Sequence, residues 1–139
     1  MPYPEMMLKP MRHELTMVGF DELTTNDEVE SWPGWNEGTG LLVINSVCGC
    51  AAGMARPGVR LALDGEGARP DRLATVFAGQ DLDATAAARA RFPDVPPSSP
   101  SMALFKDGEL VFFLPRHRIE GRTAEDVAGD LRDAFQSNA

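Results

Sequence analysis

Two cysteines stand one residue apart in this sequence, as Cys48-Gly49-Cys50, and the chain contains no others. A disulfide between them would close a very small loop, so it would remove little chain entropy from the unfolded state. A purely structural crosslink therefore explains the pair poorly. Paired thiols in a reducing compartment are more often catalytic or metal-binding, and we expect one of these two chemistries.

The surroundings of the pair favour a reactive thiol. The apolar run 41–46 (LLVINS) predicts a strand buried on both faces, and the cysteines follow it almost directly. The Ala-rich segment 51–63 predicts a helix that Pro57 kinks or restarts. Cys48 thus stands between the carboxyl end of a strand and the start of a helix. Backbone N–H groups and the helix dipole stabilise a thiolate there and lower the pKa of the thiol.

The second cysteine is placed to complete a thiol–disulfide exchange. Cys50 is near enough along the chain to attack a mixed disulfide formed at Cys48, and Gly49 gives the backbone between them freedom to close a small ring. We expect Cys48 to be the more exposed sulfur and to have the lower pKa. Asn45 and Ser46, just before the pair, are predicted to cap the helix, with polarisation of the thiolate as the alternative.

The N-terminal third is predicted to be helical. Apolar residues at spacings of four, four and three indicate a helix within residues 4–19 that buries one face, and Gly19 is expected to end it; that face comprises Met7, Met11, Leu15 and Val18. Thr25 and Glu28 have the spacing of a capping box, which predicts a short second helix.

The remaining elements complete a mixed sheet. Residues 73–78 predict a strand, and residues 82–92 a helix with Asp81 as its N-cap. Two further strands, 102–105 and 110–114, flank the Asp-Gly pair of residues 107–108, a sequence typical of a hairpin turn. A last helix is predicted after Gly121, capped by Thr123 and Asp126 and with an apolar face at four-residue spacing.

The order β-α-β-α-β-β-α predicts an α/β protein with a mixed central sheet and helices on both faces. Strands joined through a helix are expected to be parallel, and the closing hairpin antiparallel. We expect a single domain over residues 1–139, with a helical N-terminal extension over 1–35 and a core over 41–136.

Charge and hydropathy exclude several classes of protein. The chain has 21 acidic and 13 basic residues, a net charge of −8, without a Lys/Arg-rich run, so we expect no nucleic-acid partner. The longest uncharged stretch, residues 38–55, is too polar to span a membrane, and no membrane partner is expected. The first residues lack the apolar core of a signal peptide, so the predicted compartment is the cytoplasm.

Metal carriage is the main alternative for the cysteine pair. Zinc usually takes four ligands, but the chain offers only His13 and His117 besides the cysteines, and an iron–sulfur cluster would require two chains. We predict no metal site. A further alternative is a redox sensor, in which formation of the disulfide controls a partner. His117, between Arg116 and Arg118, is interpreted as part of a solvated loop, with a proton shuttle or an anion contact as alternatives.

Four segments give the sequence a specific resemblance. They are NSVCGCAAGMARP, TVFAGQD, PSSPSMALFKDGE and LPRHRIEGR. With the predicted order of elements, they resemble the thioredoxin superfamily and, more narrowly, the bacilliredoxin family, CGC-motif proteins of bacteria that use the thiol bacillithiol. The similarity extends from about residue 11 to about residue 135, nearly the whole chain.

The resemblance implies a thioredoxin-like fold and a role for each site residue. Cys48 matches the nucleophilic cysteine of the family and Cys50 its resolving cysteine. Pro100 matches the cis-proline that lines the active site, and its neighbour Ser99, together with Gly49, is expected to contact substrate.

The resemblance also implies a reaction. The expected activity is thiol–disulfide exchange that reduces mixed disulfides between client proteins and bacillithiol or a similar low-molecular-weight thiol, together with protein disulfide isomerase or reductase activity. No cofactor is expected, and the low-molecular-weight thiol is a co-substrate. The expected partners are S-thiolated client proteins, and the expected state is a monomer or a weak homodimer.

Overall fold

The computed structural model describes residues 3–139 and contains five helices and five strands in that range. The helices are α1 (Glu5–Thr16), α2 (Asn26–Ser31), α3 (Arg56–Leu63), α4 (Leu82–Arg89) and α5 (Ala124–Ser137). The strands are β1 (Asp21–Glu22), β2 (Thr39–Asn45), β3 (Arg72–Phe77), β4 (Ser101–Lys106) and β5 (Glu109–Leu114). A π-helical turn, Ala51–Ala55, precedes α3, and short 3₁₀ turns occupy Pro33–Trp35 and Arg116–Arg118.

The five strands form one mixed sheet in the order β1-β3-β2-β4-β5. Strand β3 is parallel to both β1 and β2, whereas β4 is antiparallel to both β2 and β5. Asp107 and Gly108 turn the β4–β5 hairpin with positive φ angles of 48° and 93°, as the Asp-Gly signal predicts. The predicted mixed α/β architecture is confirmed.

Apolar side chains cover both faces of the sheet, and alternate residues of β2 divide between them. Leu41 and Val43 belong to a core with residues of α3 and α5, and Leu42 and Ile44 to a second core with residues of α2 and α4. This alternation explains why a continuous apolar run forms the central strand: each side chain is buried on one face or the other. Within residues 3–139, no helix combines the length and apolar character needed to cross a membrane.

The buried face of α1 differs from the predicted one. Leu8, Arg12 and Leu15 are buried, whereas Met7 is 44% exposed. Arg12 occupies a buried position on this face where an apolar side chain would be expected. Carboxylates from three parts of the chain surround its guanidinium, those of Glu5, Glu22 and Asp81, at 2.6, 3.1 and 2.7 Å. An arginine paired in this way can be buried, but its residue type alone predicts exposure.

Strand β1 was not predicted, since two acidic residues carry no strand signal, yet it pairs with Ala74 and Thr75 of β3. Asp81 occupies the N-cap position of α4 as predicted, but its carboxylate accepts hydrogen bonds from Arg12 and makes none that caps the helix. Helix α4 also ends at Arg89, three residues earlier than predicted. Both capping boxes, by contrast, are present at the starts of α2 and α5.

Candidate active site

The cysteine pair lies at the carboxyl end of the central strand. Strand β2 ends at Asn45, and helical backbone starts at Gly49, before the π-helical turn. Pro57 lies in the first turn of α3, where a proline is tolerated, and the helical backbone continues without a break from Gly49 through the π-helical turn to Leu63. Both thiols are free; Cys48 is half-buried, and Cys50 is buried with 7% exposure. Cys48 is thus the more exposed residue of the pair.

The two sulfur atoms are in direct contact, with 2.6 Å between Cys48 Sγ and Cys50 Sγ. Burial alone would raise the pKa of Cys48, but hydrogen bonds from the Cys50 thiol, the Ser46 hydroxyl and the N–H groups of Ala51 and Cys50 stabilise its thiolate. The net effect lowers the pKa of Cys48 below its ordinary value, as the position at a helix start predicts.

The same contact has the opposite effect on the second thiol. Burial raises the pKa of Cys50, and the hydrogen bond to Cys48 and the charge of the Cys48 thiolate raise it further. The proton therefore leaves Cys48, the more exposed residue, more readily than it leaves the buried Cys50. This division suits a first attack by Cys48 and a later attack by Cys50.

Ser46 links the end of β2 to the nucleophile. Its Oγ accepts a hydrogen bond from the N–H of Cys48 at 3.1 Å, and its own N–H donates to Asn45 Oδ1 at 2.9 Å. The prediction that Asn45 and Ser46 cap the helix is wrong in its detail, because Ser46 binds the loop N–H of Cys48 and no side chain caps the helical turn that follows. The structure favours the alternative, polarisation of the thiolate by Ser46.

A buried arginine is hydrogen-bonded to the residues at the start of this loop. Arg56 is 2% exposed, and its Nη1 donates to Asn45 Oδ1 at 2.8 Å and to the Ser46 carbonyl at 2.9 Å, while its Nε donates to Glu14 at 3.0 Å. This role is not predictable from the sequence, since nothing local distinguishes Arg56 from a solvated arginine. Its position at the junction of the π-helical turn and α3 brings it beneath the cysteine loop.

The proline segment lies at the same edge of the sheet. The Ser99–Pro100 peptide bond is cis, as the resemblance implied. Antiparallel pairing of Ile44 with Ser101 places this segment beside the end of β2, from which the cysteine loop departs. Pro100 is buried and Ser99 half-buried, while Gly49 is exposed, and a Cβ added there would meet nothing within 4 Å. Roles for Gly49, Ser99 and Pro100 in substrate contact stay predictions.

The basic turn after β5 also reaches the site, through Arg116. The Arg116 N–H donates to Ser98 Oγ at 3.3 Å, and its Nη1 donates to the Ser99 carbonyl at 3.4 Å. The Arg116 charge lowers the pKa of Cys50, in opposition to the larger effects of burial and of Cys48. Among residues 3–139, no group of three or more His, Cys, Asp or Glu side chains could hold a metal ion.

Comparison with known proteins places the chain among bacterial thiol–disulfide proteins. The sequence pattern of the family described as "Disulphide isomerase" matches residues 3–139. A bacilliredoxin of Salinibacter ruber is 54% identical over 138 residues, which are 99% of this chain and 81% of that protein. A bacilliredoxin of Bacillus cereus is 52% identical over 136 residues, 98% of this chain and 94% of that protein.

Solved structures give the fold. An oxidoreductase structure with a thioredoxin fold covers 81% of this chain and 90% of its own, at 17% identity and a TM-score of 0.58. Oxidised thioredoxin O2 of Arabidopsis thaliana covers 86% of this chain and 96% of its own, at 13% identity and a TM-score of 0.54. The fold is therefore thioredoxin-like, as the resemblance predicted.

Proposed function

Because the chain belongs to the bacilliredoxin family and is a thiol–disulfide oxidoreductase, we propose that it reduces mixed disulfides between client proteins and bacillithiol or a similar low-molecular-weight thiol. The observation that carries the proposal is the asymmetric cysteine pair. Cys48 is accessible and has a lowered pKa, while Cys50 is buried, has a raised pKa and touches it. Such exchange requires a reducing compartment, and we propose the cytoplasm.

The first step uses Cys48 alone. Its thiolate attacks the bacillithiol sulfur of the mixed disulfide, a new S–S bond joins Cys48 to bacillithiol, and the old S–S bond breaks. The client leaves as a thiolate and takes a proton from water. Access and thiolate character decide which cysteine attacks first, and Cys48 exceeds Cys50 in both.

Two routes release the small thiol. Cys50 can lose its proton and attack Cys48 Sγ, which forms the Cys48–Cys50 disulfide and expels bacillithiol as a thiolate. Alternatively, the thiolate of a second low-molecular-weight thiol attacks the bacillithiol sulfur, which breaks the bond to Cys48, leaves Cys48 as a thiolate and forms a disulfide between the two small thiols. After the first route, the pair needs two electrons from a dithiol reductant to become active again. Protein disulfide isomerisation would use the same first attack on a protein disulfide.

The test compares two substrates. A client protein carrying a bacillithiol mixed disulfide is incubated with the protein, and the release of client thiol is measured beside the reduction of insulin disulfides. We expect faster release from the mixed disulfide than from insulin, no release by Cys48→Ala, and a first turnover by Cys50→Ala. Reduction of insulin without reduction of the mixed disulfide would contradict the proposal and indicate a protein disulfide reductase.

A further inference from the structure

One exposed turn at the active-site edge carries positive charge in an acidic protein. The chain carries a net charge of −8, yet the 3₁₀ turn Arg116–Arg118 places two arginines and a histidine in succession after β5. An anion that approaches such a protein meets repulsion over most of its surface. A local cation beside the thiols would therefore have a large influence on which small thiols the site accepts.

Arg116 is the member of the turn that the structure fixes against the site. Its backbone N–H is hydrogen-bonded to Ser98 Oγ and its Nη1 to the Ser99 carbonyl, next to the cis-proline. Its Nε donates to Glu120 Oε2 at 2.9 Å. The side chain is still 45% exposed, and the hydrogen bonds that Arg116 donates within residues 3–139 come from the backbone N–H, Nε and Nη1, which leaves Nη2 without a partner there. A guanidinium has five N–H donors, so several remain for a ligand.

Arg116 interacts electrostatically with both thiols. It lowers the pKa of Cys50, and attraction to the ionised forms of the two thiols in turn helps to raise the pKa of Arg116, after the larger contribution of Glu120. A small thiol joined to Cys48 therefore lies within the field of this guanidinium. A guanidinium with free N–H donors binds a carboxylate through two parallel hydrogen bonds.

We propose that Arg116 determines specificity by binding a carboxylate of the small thiol that Cys48 accepts, so that the preferred substrates carry an anionic, carboxylate-bearing low-molecular-weight thiol. The inference rests on the proposed function, because it concerns the adduct formed in the first step. Arg116 acts by positioning the adduct and takes no part in bond making or breaking.

Arg118 supplies a matched control from the same turn. Its guanidinium is exposed and lies 3.9 Å from Asp130 of α5, which also binds Arg122 at 2.6 Å. It makes none of the contacts to Ser98 or Ser99 that Arg116 makes. Replacing Arg118 with Gln removes the same amount of charge from the turn without touching the cis-proline segment.

The test uses three small disulfides, each of pyridine-2-thiol with a second thiol: 3-mercaptopropionate, 2-mercaptoethanol or cysteamine. These supply an anionic, a neutral and a cationic adduct of similar size. Attack by Cys48 releases pyridine-2-thione, whose absorbance gives the second-order rate constant. The quantity of interest is the ratio of the anionic to the neutral rate constant, because a change in thiol pKa would alter both rates together.

In the unsubstituted protein we expect a ratio above one that falls as salt is added. Arg116→Gln is expected to lower the ratio about three- to fivefold, the size of an exposed ion pair, and to favour the cationic adduct, whereas Arg118→Gln changes it less than twofold. Equal ratios in the unsubstituted protein and Arg116→Gln would overturn the inference, as would an equal effect of Arg118→Gln. Adduct formation without charge preference would defeat this inference alone, whereas failure to form any adduct on Cys48 would defeat the proposed function as well.

Discussion

The loop that carries the nucleophile depends on one buried arginine, and replacing Arg56 with Met tests this dependence. The substitution keeps a long side chain that can fill most of the space but removes every N–H donor. It leaves Asn45 Oδ1 and the Ser46 carbonyl without the donor that now lies 2.8 and 2.9 Å from them. It also removes the partner of Glu14 at 3.0 Å.

The expected cost follows from these three contacts. Hydrogen bonds to a charged group contribute about 1.5–3 kcal/mol each, and removing one partner of a buried ion pair costs about 3–5 kcal/mol. Glu14 is 31% exposed and can be rehydrated, and the apolar Met side chain recovers some burial. We therefore expect Arg56→Met to lower the free energy of unfolding by about 3 kcal/mol.

Urea unfolding followed by circular dichroism measures this loss, and Arg60→Met is its control. Arg60 lies on the same helix and contacts the same Glu14 at 3.6 Å, but its side chain is 47% exposed. Its substitution is expected to change stability by about 0.5 kcal/mol or less. If Arg56→Met and Arg60→Met cost the same within about 1 kcal/mol, Arg56 does not support the cysteine loop in the way described.

Further predictions concern the thiol and one helix contact. The effect of Ser46 is measured by the pH dependence of Cys48 alkylation in the Cys50→Ala protein, with and without Ser46→Ala. The second substitution removes a hydrogen bond to the thiolate, so the pH at which the alkylation rate reaches half its maximum should rise. An unchanged midpoint would contradict this role of Ser46. Gly58→Ala would bring a Cβ within 2.6 Å of Val127 and is expected to lower stability by about 1–3 kcal/mol in urea unfolding. Gly129→Ala, where a Cβ meets nothing within 4 Å, should instead stabilise the protein by about 0.5–1 kcal/mol, so equal effects of the two glycine substitutions would refute the packing argument.

Local patterns predicted the framework of the site because each depends on a few neighbouring residues. The apolar run of β2, the Asp-Gly turn and the two capping boxes all specify backbone geometry within a few positions. The position of Cys48 between a strand and a helix follows from the same patterns, and so does the direction of its pKa shift.

The contacts that tune the site were harder to predict because they join distant parts of the chain. Arg56 donates hydrogen bonds to Asn45 and Glu14, and Arg12 forms an ion pair with Asp81, which is 69 positions away in the sequence. A buried arginine is recognisable only when its partners are known, and the sequence gives no local sign of them. In the sequence Arg116 stands out only as a neighbour of His117, although it is Arg116 that contacts the proline segment.

The central claim is that Cys48 attacks and Cys50 resolves, and mass spectrometry of trapped adducts tests it most directly. Each single Cys→Ala protein is exposed to a client carrying a bacillithiol mixed disulfide, digested without reductant, and searched for the peptide that carries bacillithiol. We predict a stable adduct on Cys48 in the Cys50→Ala protein and none on Cys50 in the Cys48→Ala protein. An adduct on Cys50 that forms as fast in Cys48→Ala as the Cys48 adduct does in Cys50→Ala would contradict the assignment.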